Sequence, residues 1–427
     1  MKITVIGTGF VGVVSSAVFA SLGHQVVGLD IDPLKVESLK QGQVPFFEPD
    51  LQEMLIEQQQ TGNLEFTTDY QQAVTDADLV IIAVGTPSSE TGQVNLDYVF
   101  QSGRSLAPYL KPEAIVAVKS TVPPGTLDQL KELIQAKTNT PFHLASLPEF
   151  LKEGSAVQDT LHPDRVVIGA QSPQVFSVLE KLHQPLSDKI LKMSPESAQM
   201  AKYAANAYLA TRITFINQIA NLCEKNGADI EEVIAGIGAD QRIGTHYWYP
   251  GPGYGGSCFP KDVKELAHYA QEVGEADNLL VTVNQLNQGR ISKLAKKYEQ
   301  KIGGWDGKKV AVLGLSFKPN TDDTREAPAG KLIPLILAKG GNVKAYDPMA
   351  QWLPDDHLEN YQQVQSLEQA VEQADVILVL IEWPEITEFD YSRVKLDKEQ
   401  WLIDTRNQLD PNRAKEAGYQ YSAIGRN

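Results

Sequence analysis

The sequence predicts an α/β protein with two doubly wound domains, joined by a long central helix and a helical dimerisation region. Three observations predict it. The N-terminus reads strand, glycine turn, helix, strand; beyond Pro195 no Gly or Pro interrupts a helical pattern until Gly227; and the opening strand, helix, strand outline returns in the last third of the chain. The boundaries this implies are 1–194, 195–303 and 304–427.

In the first segment, Lys2 to Ile6 is a short apolar run, GTGFVG follows, Val11 to Leu22 has the small and apolar content of a packed helix, and HQVVGLD is a second strand. Gly7, Gly9 and Gly12 form GxGxxG, and Asp30 ends the second strand at the distance where a carboxylate can accept from an adenosine ribose. This is the Rossmann dinucleotide fingerprint in its proper context, and Asp30 favours NAD over NADP because it would repel a 2′-phosphate. Strands ADLVIIAVGTP and AIVAVKSTVPPGT follow, each ending in the small and hydroxyl residues that fringe a nucleotide crevice.

The second segment opens with the helix from Pro195, apolar on more than one side, which suggests that a second chain covers part of it or that it is buried within one subunit. The third follows the linker-like IGGWDGKK, where KKVAVLGLSF and GGNVKAYD repeat the Rossmann-like outline with the glycine fingerprint gone. The echo extends without gaps from YQQAVTDADLVIIAVGTP (Tyr70 to Pro87) to LEQAVEQADVILVLIEWP (Leu367 to Pro384).

A chain of 427 residues exceeds a single core, and 42% apolar with 22% charged residues describes a folded protein. The formal net charge of −16, with no Lys/Arg cluster, argues against nucleic acid as a partner. An anionic ligand must then be held by helix N-termini and a few chosen cations. MKITVIG lacks the features of a secretory leader, and no apolar run reaches the roughly 18 residues of a membrane span, so no membrane partner and a cytoplasmic location are expected. Two cysteines make no disulfide framework, and seven scattered histidines give no metal-ligand spacing, so no metal is expected.

Cys258 lies in GPGYGGSCFPKD, between glycines that let backbone approach a ligand and Pro260, which suits the start of a helix. A thiol near a helix N-terminus is disposed to ionise, with Lys261 and Asp262 as a cation and a possible base within a turn. Cys223, mid-helix without such support, reads as a small buried hydrophobe. In SLPEFLKEGS, Glu149 and Glu153 are four apart as on one helical face, beside Phe150 and Leu151, which could raise a carboxyl pKa. Lys202 and Asn206 are also four apart, and the surroundings of Lys202 favour a buried, directed ammonium.

The chain resembles the UDP-glucose/GDP-mannose family of nucleotide-sugar 6-dehydrogenases over essentially its full length. The resemblance rests on GTGFVG, PEFLKEGSA with HPDRVVIG, AKYAANAYLA, DQRIG, PGPGYGGSCFPKD, LGLSFKPNTDDTREAP and DTRN. It implies a four-electron oxidation of the sugar 6-hydroxyl with two NAD+ in sequence, in which Cys258 holds the intermediate as a thiohemiacetal and then a thioester. GGSCFPKD leans toward UDP-glucose, giving UDP-glucuronate, over GDP-mannose or a UDP-N-acetylhexosamine, with a non-catalytic NAD-binding protein as the remote alternative. Lys202 and Asn206 fall where the family stabilises an oxyanion at C6. Asp262, Glu153 and Thr121 would serve proton and water steps, and Glu149 would position groups. Cofactor contacts map onto Gly7, Gly9, Val11, Gly12, Asp30, Lys35, Thr86, Thr121 and Arg325. Substrate contacts map onto Phe150, Leu151, Lys152, Lys202, Tyr247, Gly255, Phe317, Lys318 and Arg406, with Arg242 offered to the neighbouring subunit of a homodimer. Leu147 before PEFL and Tyr247–Trp248 before the glycine loop depart from the family pattern near the substrate.

Overall fold

The computed structural model describes residues 1–352, 354, 358–394 and 399–426. They form two compact units, Met1–Ala205 and Asn206–Asn427, divided inside the 32-residue helix Pro195–Asn226. That helix ends where Gly227 adopts a left-handed φ of +84° and its N–H reaches back to the Cys223 carbonyl.

Unit one is built on strands β1 (Lys2–Ile6), β2 (Gln25–Leu29), β3 (Leu64–Thr67), β4 (Leu79–Ile82), β5 (Ala114–Val118), β6 (Phe142–Ser146), β7 (Val166–Ala170) and β8 (Ile190–Met193). Among the described residues they form one sheet in the order β3-β2-β1-β4-β5-β6-β7-β8, parallel except at β6/β7. Parallel neighbours require crossover connections, and the crossing helices bury both sheet faces. That is why β4 (LVII) and β5 (AIVAV) are apolar and buried along their whole length rather than alternating. The chain fills one side of β1 through β2 and β3, then crosses to β4, so the topological switch point lies beyond the carboxyl ends of β1 and β4.

Unit two repeats this plan with β9 (Lys309–Leu313), β10 (Asn342–Tyr346), β11 (Tyr361–Gln363), β12 (Val376–Val379), β13 (Trp401–Asp404) and β14 (Gln420–Ala423). The order is β11-β10-β9-β12-β13-β14, parallel throughout. The internal echo is structural: the helices Tyr70–Val74 and Leu367–Val371, and the strands β4 and β12, begin and end at the same offset. The first fingerprint glycine also persists as Gly314, whose φ of +101° matches the +96° of Gly7. Asp347, after β10, takes the part of Asp30 and accepts from the N–H groups of Leu315 and Ser316 at 2.7 and 3.0 Å.

The expected linker IGGWDGKK does connect a helix to β9, with Gly303, Asp306 and Gly307 exposed, but it is anchored in the core by Ile302 and Trp305. Trp305 is 2% exposed and packs in the cluster beneath β9 and the helix Pro328–Leu337. Gly303 and Gly304, both at positive φ, stop the helix Arg290–Ile302 and turn the chain inward. Cys223 is buried in the same cluster, as expected of a structural thiol.

Candidate active site

The dinucleotide crevice is shaped by close approach. A Cβ on Gly12 would lie 1.8 Å from the Gly7 carbonyl oxygen, so the helix Phe10–Ser21 can start against β1 only with glycine there. A Cβ on Gly9 would meet nothing within 4 Å. The second glycine therefore serves no packing need of the chain, and it leaves the helix N-terminus open to a pyrophosphate. Val11 is half-buried in the first turn of the helix.

Asp30 accepts from the Thr8 N–H at 2.8 Å, the Thr8 hydroxyl at 2.7 Å and the Asp32 N–H at 3.1 Å. Burial pushes this carboxyl up, but those donors and the charge of Lys35 outweigh it and hold it below the usual carboxylate range. It stands ionised at the end of β2, and Lys35 is exposed on the next helix. The ends of β4 and β5 are tied together by the Thr86 hydroxyl, which donates to the Thr121 carbonyl at 3.0 Å. These residues fit an NAD adenosine and pyrophosphate.

The second feature of this unit is a buried ion pair. Lys202 Nζ lies 2.8 Å from Glu149 Oε1, with both residues at least nine-tenths buried, and the Leu151 N–H donates to the other carboxylate oxygen at 2.6 Å. The buried, directed ammonium expected of Lys202 is present. Two expectations for Glu149 fail. Residues 147–155 form no helix, so Glu149 and Glu153 share no helical face; Glu149 is buried and Glu153 half-buried on an irregular connection from β6 to the helix Ala156–Leu161. Burial does push the Glu149 carboxyl up, but Lys202, the Leu151 N–H and Lys119 together hold it below its ordinary value.

Sequence reading missed Lys119 and Arg165. Lys119, just after β5, is 8% exposed, and burial, aided by Lys202 and opposed by Glu149, brings its ammonium down to about 8. A single lysine ending an otherwise apolar strand was its only signal. Arg165 stacks on the Phe150 ring at 3.6 Å. Lys119, Glu149, Phe150 and Arg165 line a cleft of about 160 Å³ together with Leu151, Lys152 and His183. Lys152 is exposed and pairs with Asp159 at 3.0 Å. Leu147, the departure before PEFL, is fully packed away.

In unit two, Cys258 is exposed and occupies the N-cap of the helix Phe259–Glu272, whose first turn contains Pro260, as expected. Asp262, 1% exposed, receives the Asn206 Nδ2 donor at 2.5 Å and the Lys261 ammonium at 2.7 Å, and Lys261 also reaches Glu265 at 3.2 Å. Burial alone would lower Lys261, but Asp262, Glu265 and Cys258 reverse the effect and hold it charged.

The glycine loop is pinned on both sides. The Gly251 N–H donates to Asn217, Arg290 Nε donates to the Gly251 carbonyl, and Asn287 bonds both the N–H and the carbonyl of Tyr254. The LSFKPNTDDTRE block packs directly on it: the Gly256 N–H donates to the Arg325 carbonyl, and Cβ atoms at Gly255 and Gly256 would collide with the Glu326 carbonyl and the Phe317 ring at 2.4 and 2.7 Å. Two motifs read separately in sequence are thus one surface.

Lys318 sits 5.6 Å over the Phe317 ring, and the exposed Arg325 pairs with Asp323. Arg406 is held by the Leu380 carbonyl and Glu382. Tyr247 adopts a φ of +62° and stacks near Tyr249 and Phe259. Arg242 is almost fully exposed beside Asp240. No group of three or more His, Cys, Asp or Glu among the described residues is placed to hold a metal ion.

Comparison with known proteins places this geometry. The NAD binding, central and UDP binding domain models of the UDP-glucose/GDP-mannose dehydrogenase family match residues 1–187, 196–289 and 311–411. The UDP-glucose 6-dehydrogenase TuaD of Bacillus subtilis (strain 168) is 42% identical, covering 100% of this chain and 93% of that one. The structure of a UDP-glucose dehydrogenase from Pyrobaculum islandicum matches with a TM-score of 0.92 at 35% identity, covering 100% of this chain and 98% of that one. That of a UDP-D-ManNAc dehydrogenase from Pyrococcus horikoshii matches with 0.86 at 28%, covering 100% and 99%. With three domain models matched in order and relatives aligned end to end, the chain belongs to the UDP-glucose/GDP-mannose dehydrogenase family.

Proposed function

We propose that the protein oxidises UDP-glucose to UDP-glucuronate, with Cys258 as the covalent catalyst. The observation that supports this reading is the exposed thiol at a helix N-terminus, one turn from a buried Asp262 that is itself held by Asn206 and Lys261. Greater likeness to UDP-glucose than to UDP-D-ManNAc dehydrogenases favours glucose as the sugar.

Bound NAD+ supplies the hydride acceptor for each oxidation. The C6 hydroxyl loses a proton and a hydride to become an aldehyde. The Cys258 thiolate adds to that carbon, and Lys202 and Asn206 donate to the oxygen on which negative charge develops. Loss of a second hydride from the thiohemiacetal leaves a thioester, which water cleaves to the carboxylate, returning the thiol. Asp262, Glu153 and Thr121 serve proton and water steps, and the ionised Glu149 keeps the Lys202 ammonium aimed. Tethering the aldehyde to the protein keeps it from escaping between the two oxidations.

Gly7, Gly9, Val11, Gly12, Asp30, Lys35, Thr86, Thr121 and Arg325 take the cofactor in this reading. Phe150, Leu151, Lys152, Tyr247, Gly255, Phe317, Lys318 and Arg406 take the sugar nucleotide. Residues 1–194 then serve NAD, 195–303 present the cysteine loop and the dimer surface, and 304–427 hold UDP. A cytoplasmic location belongs to the same proposal; no described helix is long and apolar enough to cross a membrane.

The end-point test offers limiting UDP-glucose, GDP-mannose or UDP-N-acetylmannosamine with excess NAD+ and counts NADH. About two NADH per UDP-glucose is expected. About one would reduce the protein to a simple alcohol dehydrogenase with a structural Cys258. A full yield from another sugar alone would keep the mechanism and change the substrate.

The homodimer rests on Tyr208, Phe215 and Leu222, which are seven apart along one helix and 61%, 50% and 56% exposed. An apolar stripe of that kind fits a second copy of this chain, and Arg242, exposed and pre-oriented by Asp240, would then serve the neighbouring subunit. Sedimentation at micromolar concentration should give twice the 46.9 kDa chain mass. A purely monomeric species would remove the dimer and the role of Arg242 together.

A further inference from the structure

The connection at 147–155 carries every sugar-site residue proposed from unit one except Lys202, yet its backbone belongs to no strand or helix. Glu48 holds its far end. Its Oε2 accepts from the Gly154 N–H at 2.6 Å and its Oε1 from the Ala156 N–H at 2.7 Å, across more than a hundred residues of sequence. Glu48 is 6% exposed. Both carboxylate oxygens are engaged, and bonds to a buried charge are short and strong.

The neighbours of Glu48 point in two directions. Phe46 packs its ring 4.9 Å from that of Phe10, inside GTGFVG at the dinucleotide turn. Asp50 accepts from Gln158 on the helix that follows the connection. The short segment 46–50 therefore touches the cofactor turn with one side chain and latches the sugar-binding connection with another.

We infer that Glu48 is a positioning residue for sugar-nucleotide binding: by clamping the N–H groups of Gly154 and Ala156 it sets the course of residues 149–153. It acts through the backbone N–H groups it holds. The inference rests on the proposed UDP-glucose reading only for the choice of substrate. Glu48→Gln tests it at constant volume, because the amide offers one acceptor where two N–H donors must be met and turns its own N–H₂ toward the other. Glu48→Asp keeps the charge but withdraws it by one methylene.

In Glu48→Gln, KM for UDP-glucose is expected to rise about tenfold or more, the scale of one lost charge-assisted bond. The Kd for NAD+ should stay within about twofold, and amide hydrogen exchange should accelerate in peptides spanning 149–156. Glu48→Asp should fall between, and it serves alone if the glutamine variant does not fold. Unchanged exchange with unchanged KM would overturn the latch. Equal losses of NAD+ and UDP-glucose binding would also overturn it, since they would mark Glu48 as a general support of the fold. Wild-type protein inert toward UDP-glucose would defeat the substrate reading instead, and the exchange comparison would still decide the latch.

Discussion

Cys258→Ser is expected to abolish uronate formation, with the yield of UDP-glucuronate falling on the order of a thousandfold or more. The oxygen nucleophile is smaller and is hardly ionised at neutral pH, and no serine hydroxyl at a helix N-terminus approaches the thiolate content of a cysteine there. Stability should change by less than about 0.5 kcal/mol, because the side chain is exposed. NAD+ affinity should match wild type, since the dinucleotide fingerprint lies in the other compact unit. The pairing matters more than the loss: acid production gone with NAD+ titration intact isolates the covalent step. Wild-type turnover in the serine variant would end the thioester mechanism.

Lys202→Met should have the largest effect on stability and should lower turnover as well. It strips the ammonium from a pair in which both partners are buried, and a single broken partner of that kind costs about 3–5 kcal/mol. The pH dependence should reverse as well. In the wild type the Glu149 carboxyl is held low, so its contribution is complete above the ordinary carboxylate pKa and is lost as pH falls through the depressed folded value. Without Lys202, burial is opposed only by the Leu151 N–H and the charge of Lys119, and the folded pKa rises. The contribution is then present at low pH and lost as pH rises, so the urea midpoint of the variant should approach that of the wild type between about pH 7 and pH 5.

A second substitution separates structure from chemistry. Lys202→Met with Glu149→Gln removes both charges and should recover most of the stability, because replacing a whole buried pair is close to neutral. Turnover should not recover. If the double variant regains activity along with stability, the ammonium has no part in the reaction.

Much of this was legible in the chain itself. GxGxxG with an acid after the next strand, a run of helical spacing from Pro195 to Gly227, and a cysteine set between glycines and Pro260 are local patterns, and each produced the element expected. SLPEFLKEGS misled because a spacing of four is also met by chance, and Pro148 with Gly154 keeps that stretch from closing a helix. IGGWDGKK showed its turn through its glycines, but not its anchor, because the tryptophan among them finds its burial only against strands that follow later in the chain.

What the sequence determined by itself, then, was the backbone plan and the setting of Cys258 at a helix N-terminus, since both depend on neighbours within a turn or a strand. The tertiary structure alone decided the charge states and the supports. Glu149 meets Lys202 across 53 residues and Glu48 meets Gly154 across 106. Whether a buried carboxyl is pushed up by burial or held down by a cation depends on which partner the fold brings within about 3 Å, and spacing along the chain carries no record of that.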